Sequence, residues 1–441
     1  MSVVLAGGTV VTSLDPPRLV KEDVVVEDGR IAVVGPAREG VPRRDCSGCL
    51  IIPGNVCGHT HLYSALARGM PYALEPPANF VQILQRVWWR LDRALDEDSI
   101  RASALIGGMG ALLSGTTTLI DHHASPNTID GSLDVIADAL EELRIRMVLC
   151  YEVTDRDGPE RAAAGVRENR RFLTTGRPLT RGLAGAHASF TLSEETLAAC
   201  VEVARQAGAG LHVHVAEDAA DQRDAQARFG MRVIPRLARA GALTRDALLA
   251  HCIHLDDAEM AMLVASGATV AHNPTSNMNN SVGHTPVRRL GERIVVGTDG
   301  IGADMFAEVK SAYVRARDED VFLGIGWPLA RLVEGARLAG RIFGEPGLGA
   351  ITPGAPADLV VLEYPACTPL TEHNLAGHWV FGLAAVHVRD VLVAGELVVE
   401  DRRLTRVDQD RLVARAMVSA DRLWRRLEEI GPHPFDPAGG S

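Results

Sequence analysis

Leu211-His212-Val213-His214-Val215-Ala216-Glu217 is the stretch on which the fold turns. Apolar and polar residues alternate along it, so it reads as a strand with His212 and His214 on one face and Glu217 just beyond its end. Titratable groups seldom close a buried apolar strand unless something pairs with them. The arrangement recurs outward in both directions. His59 and His61 follow Ile51-Ile52-Pro53-Gly54, His251 closes Leu248-Leu249-Ala250, and Asp299 closes Ile294-Val295-Val296-Gly297-Thr298. Together with runs ending near His122, Val153, His187 and Asn273, this makes eight candidate strands. Most lead into helix-length stretches, such as 193–206 and 256–264. Eight βα units predict an α/β fold, a TIM-like (β/α)8 barrel, whose chemistry sits where the strands end.

The two ends of the chain read differently. Val3-Val4-Leu5, 8–11, 23–26 and 30–34 are short strands, with a hairpin signal at Glu27-Asp28-Gly29-Arg30. A matching β pattern returns at 357–362 and 386–399. The expected organisation is a small β-sandwich domain built from both termini (1–55 and 353–405) around a barrel at 56–352. A C-terminal helix and tail follow at 406–441, with Leu412, Met417, Leu423, Leu427 and Ile430 on roughly one helical face.

Composition narrows the function. The 441 residues carry a net charge of −11, which argues against a nucleic-acid partner. Only Lys21 and Lys310 are lysines, and neither lies in a glycine-rich phosphate loop. The opening Met-Ser-Val-Val lacks the basic flank of a signal peptide. The apolar run at 104–120 is broken by Gly107, Gly108, Gly110 and Gly115, so no membrane span is expected. Seven scattered cysteines, including a lone Cys46-x-x-Cys49, fit a reducing, cytoplasmic setting. Eleven of the 15 histidines fall between His59 and His284. Imidazoles two apart on a strand can hold one metal ion, at about 2.0–2.1 Å for zinc.

Pro53-Gly54 followed by His59-Thr60-His61, His214-x-x-Glu217, His251, His272-Asn273-Pro274-Thr275-Ser276-Asn277 and Gly297-Thr298-Asp299-Gly300 resemble the amidohydrolase superfamily. Within it they are similar to the branch of triazine chlorohydrolases and of purine, pterin and cytosine deaminases. Trp88-Trp89-Arg90-Leu91-Asp92 and Asp121-His122-His123-Ala124-Ser125-Pro126 resemble SsnA-type aminohydrolases. The resemblance implies His59, His61, His214 and Asp299 as ligands of one divalent metal, zinc, with iron(II) as the alternative. It implies Glu217 as proton shuttle, His251 as the group that orients the intermediate, and a homo-oligomer, commonly a dimer. Binuclear relatives bridge two ions with a lysine on the fourth strand. The strand ending at His187 has none, which favours a single ion, although a bridging glutamate stays open.

The implied activity is hydrolytic deamination of an amino-substituted N-heterocycle, a purine, pterin or pyrimidine, with release of ammonia. Displacement of chloride or an alkylamine from a triazine-like ring, or opening of a cyclic amide, are the alternatives, and a non-catalytic scaffold is the remote one. Substrate contacts are expected from Glu75, Gln82 and Trp89 after the first strand, and from His122 and His123 after the second. His187, Asn277 and Asp304 are the candidates after the fourth, seventh and eighth.

Overall fold

The computed structural model describes residues 2–36 and 40–439. Nine parallel strands among the described residues form its centre, in two hydrogen-bonded sheets of four and five. Asn55–Thr60, Thr116–His123 and Arg146–Tyr151 pair in sequence order, and Thr180–Gly182 extends that sheet's edge. Ala184–Ala188, Leu211–Val215, Leu248–His251, Thr269–His272 and Ile294–Val296 form the second sheet, again in sequence order. Single parallel bridges join the two, Val153 to Ala186 at one margin and Thr60 to Asp299 at the other. The ladder is therefore divided rather than continuous. The strands are buried on both faces, as parallel strands covered by helices must be.

Helices run between the strands with legible start and stop signals. Glu194–Ala207 begins at Ser193, whose side chain accepts the Thr196 N–H. It stops at Gly208, whose φ of 62° closes the last turn without a Cβ penalty. The terminal helix Gln409–Glu428 packs on the chain's own helices Glu97–Leu113 and Trp89–Ala94. Its buried stripe is Ala416, Ser419, Leu423 and Leu427. Met417 is not part of it. It stands one residue, about 100° of helical turn, past Ala416 and is 70% exposed.

Strands from both ends of the chain share one sheet. Leu359–Leu362 pairs antiparallel with Leu50–Pro53, inside a seven-stranded sheet that also holds Thr9–Leu14 and Val388–Val393. A second, four-stranded sheet contains Ser2–Ala6 and the hairpin Val24–Glu27 to Arg30–Val34. Leu5, Val24 and Ile31 of this sheet share a buried cluster with Val10, Ile51 and Leu359 of the other. All seven cysteines are free, and Cys46 and Cys49 both face the Arg389 guanidinium. No described helix is long and apolar enough to cross a membrane.

Candidate active site

The strand ends bring His59, His61, His214, His251 and Asp299 together, all buried. One ligand atom each from His59, His214, His251 and Asp299 lies within 4.8 Å of the others. His61 Nε2 is 3.0 Å from Asp299 Oδ1 and 3.2 Å from His214 Nε2. His251 thus stands as close to the donor set as the four residues of the sequence pattern. Backbone strain marks the same place. Ala216, His251, Cys252 and Asp299 have φ of 46°, 71°, 52° and 53°, a region non-glycine residues enter only when their surroundings hold them there. Gly297 lets the eighth strand approach the first, because a Cβ there would stand 2.8 Å from His59 N. The His59 carbonyl accepts the Thr298 and Asp299 N–H groups at 2.9 and 3.0 Å, which places the carboxylate.

A surrounding layer of hydrogen bonds fixes each ring. His61 Nδ1 donates to the His122 carbonyl at 2.6 Å, and His214 Nδ1 donates to the His187 carbonyl at 2.8 Å. His59 Nδ1 is 2.9 Å from His212 Nε2, whose own Nδ1 faces Cys150 Sγ at 3.6 Å. His251 Nδ1 donates to Asn277 Oδ1 at 2.8 Å, leaving its Nε2 3.4 Å from Glu217 Oε2 and 3.8 Å from Asp299 Oδ2. Ser276 Oγ donates to Asp299 Oδ2 at 2.5 Å, and Asn280 Nδ2 reaches Glu217 Oε1 at 3.4 Å. Such outer partners set tautomers and ring orientation.

The donor set fits a cation. With both Nδ1–H groups committed to carbonyls, neutral His61 and His214 would aim their Nε2 lone pairs at each other across 3.2 Å. A proton or a metal ion has to lie between them. The electrostatics agree: burial opposes charge on His61, but the Asp299 hydrogen bond and charge outweigh it and lift the imidazole to about 9. Burial pushes His59 down to about 3, keeping it neutral for ligation, and its Nε2 has no hydrogen-bond partner. Asp299 is held well below the carboxylate range, since the neighbouring His59 and His61 imidazoles overcome burial. Glu217 goes the other way. Burial and the nearby Asp299 charge raise it well above its usual value, against the Asn280 contact.

These groups open on a cavity walled by Phe80, Leu84, Trp88, Trp89, Phe190 and Ile301. Trp89 and His187 line it. The other candidates do not. His122 lies beneath the site, its Nδ1 3.1 Å from Glu152 Oε2. The next side chain along the strand points away, so His123 faces Ser125. Asn277 acts one layer out, on His251. Asp304 caps the helix Met305–Glu319 through the Phe306 and Ala307 N–H groups. Glu75 is exposed and pairs with Arg86, and Gln82 accepts the Ala78 N–H. Lys310 is exposed on the helix after the eighth strand. Ser276, Asn280 and Phe190 were not singled out from the sequence; for the first two the Pro-Thr-Ser-Asn run after the seventh strand was the available signal.

A family model described as Amidohydrolase family matches residues 50–398. The chain belongs to the amidohydrolase family. Its members are metal-dependent, and the chain is a hydrolase acting on carbon–nitrogen bonds. It is 30% identical to a 5'-deoxyadenosine deaminase of Methanopyrus kandleri, over 96% of this chain and 99% of that one. It is 32% identical to a 5-methylthioadenosine/S-adenosylhomocysteine deaminase of Nitratidesulfovibrio vulgaris, over 93% and 95%. Among solved structures, an adenosine deaminase from Xanthomonas campestris with bound zinc superposes with a TM-score of 0.84. It is 25% identical, with 96% of this chain and 98% of that one covered.

Proposed function

We propose that this amidohydrolase is a mononuclear zinc deaminase that converts a neutral, amino-substituted purine, of the 5'-deoxyadenosine type, into the oxo compound and ammonia. The observation that carries the reading is the pairing of two carboxylates of opposite character across one donor cluster. The imidazoles hold Asp299 well below the usual carboxylate range, whereas burial and the Asp299 charge raise Glu217, 3.4 Å from His251, well above it. His59, His61, His214 and Asp299 would hold a divalent ion, which when bound would supply an activated water at neutral pH. Asp299 accepts the proton that the attacking water gives up. Glu217, protonated, donates to the ring nitrogen beside the attacked carbon; the proton held by Asp299 leaves with ammonia, and the remaining hydroxyl proton returns to Glu217 as the carbon–nitrogen bond breaks and the carbonyl forms. His251, oriented by Asn277, presents its Nε2 to the new hydroxyl and accepts its hydrogen bond as the carbon becomes tetrahedral.

One ion is favoured over two. His61, His122, Glu152 and His214 make a second cluster, but it would need the same Nε2 atoms of His61 and His214. Glu152 is already engaged by His122 and Arg156.

The cavity supports the substrate's charge class. Among the described residues that line it there is no lysine or arginine, whereas Glu152, Glu217, Asp218, Asp221 and Asp299 all do. Arg156, behind Trp89, is consumed by Asp92, Glu152 and Asp157. The aromatic walls suit a flat ring with an uncharged substituent.

The same reading takes the parallel strands as a (β/α)8 barrel spanning 56–352, the terminal strands as a sandwich, and the protein as a cytoplasmic homo-oligomer. The test of function is ammonia release by zinc-loaded protein from a panel of aminopurines, adenosine derivatives, pterins, pyrimidines and triazines, with product masses. Turnover of an adenosine derivative with a mass gain of about 1 Da, the exchange of NH2 for OH, supports it. No ammonia from any purine overturns it.

A further inference from the structure

The segment after the terminal helix has no part in the chemistry above, yet it packs behind two walls of the cavity. The chain leaves Gln409–Glu428 at the surface. Arg90 and Arg93, on the helix behind the cavity wall, bind the Ile430 and Gly431 carbonyls at 2.6 and 2.9 Å. His433 N–H then donates to the Gln85 carbonyl at 2.8 Å, and the Gln85 side chain returns a hydrogen bond to the Phe435 carbonyl at 2.7 Å. Further on, the Ala438 N–H meets Asp224 Oδ1 at 2.8 Å, on the helix that follows the fifth strand. The tail therefore ties the segment after the first strand to the helix after the fifth.

Its two inward side chains each act on a wall of the cavity. Phe435 meets Trp89 edge-on, with ring centroids 5.7 Å apart, and lies 6.3 Å from Phe190. Both partners line the cavity; Phe435 backs them. His433 is 5% exposed. Its Nδ1 accepts the Phe435 N–H at 3.0 Å, so its Nε2 carries the hydrogen and donates to Asp157 Oδ1 at 3.4 Å. Asp157 faces Arg156 Nε at 3.3 Å, and Arg156 Nη1 binds Glu152 Oε1 at 3.1 Å. Glu152 lines the cavity.

We infer that residues 431–439 are a positioning strap for substrate recognition, in which Phe435 fixes the Trp89–Phe190 aromatic wall and His433 fixes Glu152 through Asp157 and Arg156. The strap touches neither the donor cluster nor Glu217. Its loss loosens the ring-binding surface and leaves metal binding intact. A shift of about 1 Å at a binding wall can cost about a hundredfold in rate.

The test compares Phe435→Ala, Phe435→Leu, His433→Ala, His433→Gln and a chain ending at residue 431, all zinc-loaded. One readout is independent of any substrate: acrylamide quenching of tryptophan fluorescence, measured also in a Trp89→Phe background. The expected results are full zinc content, quenching that rises on truncation only when Trp89 is present, and KM for 5'-deoxyadenosine raised about tenfold or more by Phe435→Ala. Leu at 435 and Gln at 433 recover most of the loss, since each keeps the apolar volume or the donor. Unchanged quenching and unchanged KM in a folded truncated chain overturn the strap. If no adenosine derivative is turned over by the parent protein, quenching alone decides, and the failure belongs to the substrate assignment.

Discussion

His61 Nε2 lies 3.2 Å from His214 Nε2, with the Nδ1–H of each ring already given to a backbone carbonyl. A cation or proton between them turns a repulsion into an attraction, and this has a consequence for stability. His61 rises to about 9 from an ordinary 6.5. A histidine whose folded value is raised contributes stability that is complete below 6.5 and is lost as pH climbs through about 9. After chelator treatment, the protein should therefore lose stability between those two values, by up to about 3 kcal/mol at about 1.36 kcal/mol per unit. The zinc-loaded protein should lose far less, because ligation already requires neutral His61. Thermal unfolding followed across this pH window, with and without chelator, measures both slopes. Equal slopes, or a chelated His61→Asn variant that keeps the parent's slope, would contradict this role.

His212 meets the donor cluster at His59, at 2.9 Å, and the ring pair fixes which nitrogen of His59 is free. His212→Ala should weaken zinc affinity by about 10–100-fold, as loss of an outer partner does elsewhere. Activity at saturating zinc should recover most of the way. Competition against a chromogenic chelator gives the affinity, and a variant with parental zinc affinity would reduce His212 to packing.

Periodicity and strand-end chemistry made the centre of this molecule legible before its structure. Alternation in Leu211–Val215 put His214 inward, and the runs closing at His251 and Asp299 put both groups at the same end of the sheet. What alternation cannot show is how a loop folds back. Glu75 and Gln82 sit in a segment whose course is set by Arg86 and by the helix cap at Asn79, and both end outside the cavity. At the end of Thr116–His123, two adjacent histidines are both buried, so hydropathy gave no reason to separate the one facing Glu152 from the one facing Ser125. The tail at 431–439 has three prolines and no periodic pattern, and its role depends on contacts hundreds of residues distant.

Glu217 and Asp299 are neighbours of His251 whose carboxyl groups are shifted in opposite directions, and Glu217→Gln tests the division of labour. Gln keeps the Asn280 contact but carries no transferable proton. The expected outcome is a kcat lower by about 10²–10⁴-fold with zinc content unchanged. Asn280→Ala should give a smaller loss, because it only steadies the carboxyl at 3.4 Å. Metal analysis beside steady-state kinetics separates these effects from ligand loss. A Glu217→Gln enzyme retaining more than about a tenth of parental kcat would exclude Glu217 as the acid.

The cavity's charge gives the sharpest discrimination among adenosine derivatives. Five acidic side chains and no lysine or arginine line it among the described residues, and the guanidinium of Arg156 behind Trp89 is bound by three acids. The amino-acid end of S-adenosylhomocysteine is zwitterionic: Asp218 on the wall can receive its ammonium, but no lining cation receives its carboxylate, and a carboxylate left unpaired in such a setting is costly. 5'-Deoxyadenosine and 5-methylthioadenosine, both neutral, should therefore be deaminated with kcat/KM about 10²-fold or more above S-adenosylhomocysteine, a gap of about 2.7 kcal/mol. Phosphorylated adenosines should fare no better. The effect should appear in KM rather than kcat, because the distal group lies away from Glu217 and Asp299. Competition assays with equal concentrations of the three compounds, read by product mass, measure the ratio directly. Equal turnover of S-adenosylhomocysteine would mean that a cation reaches the cavity from outside the described lining, and the charge argument would fall.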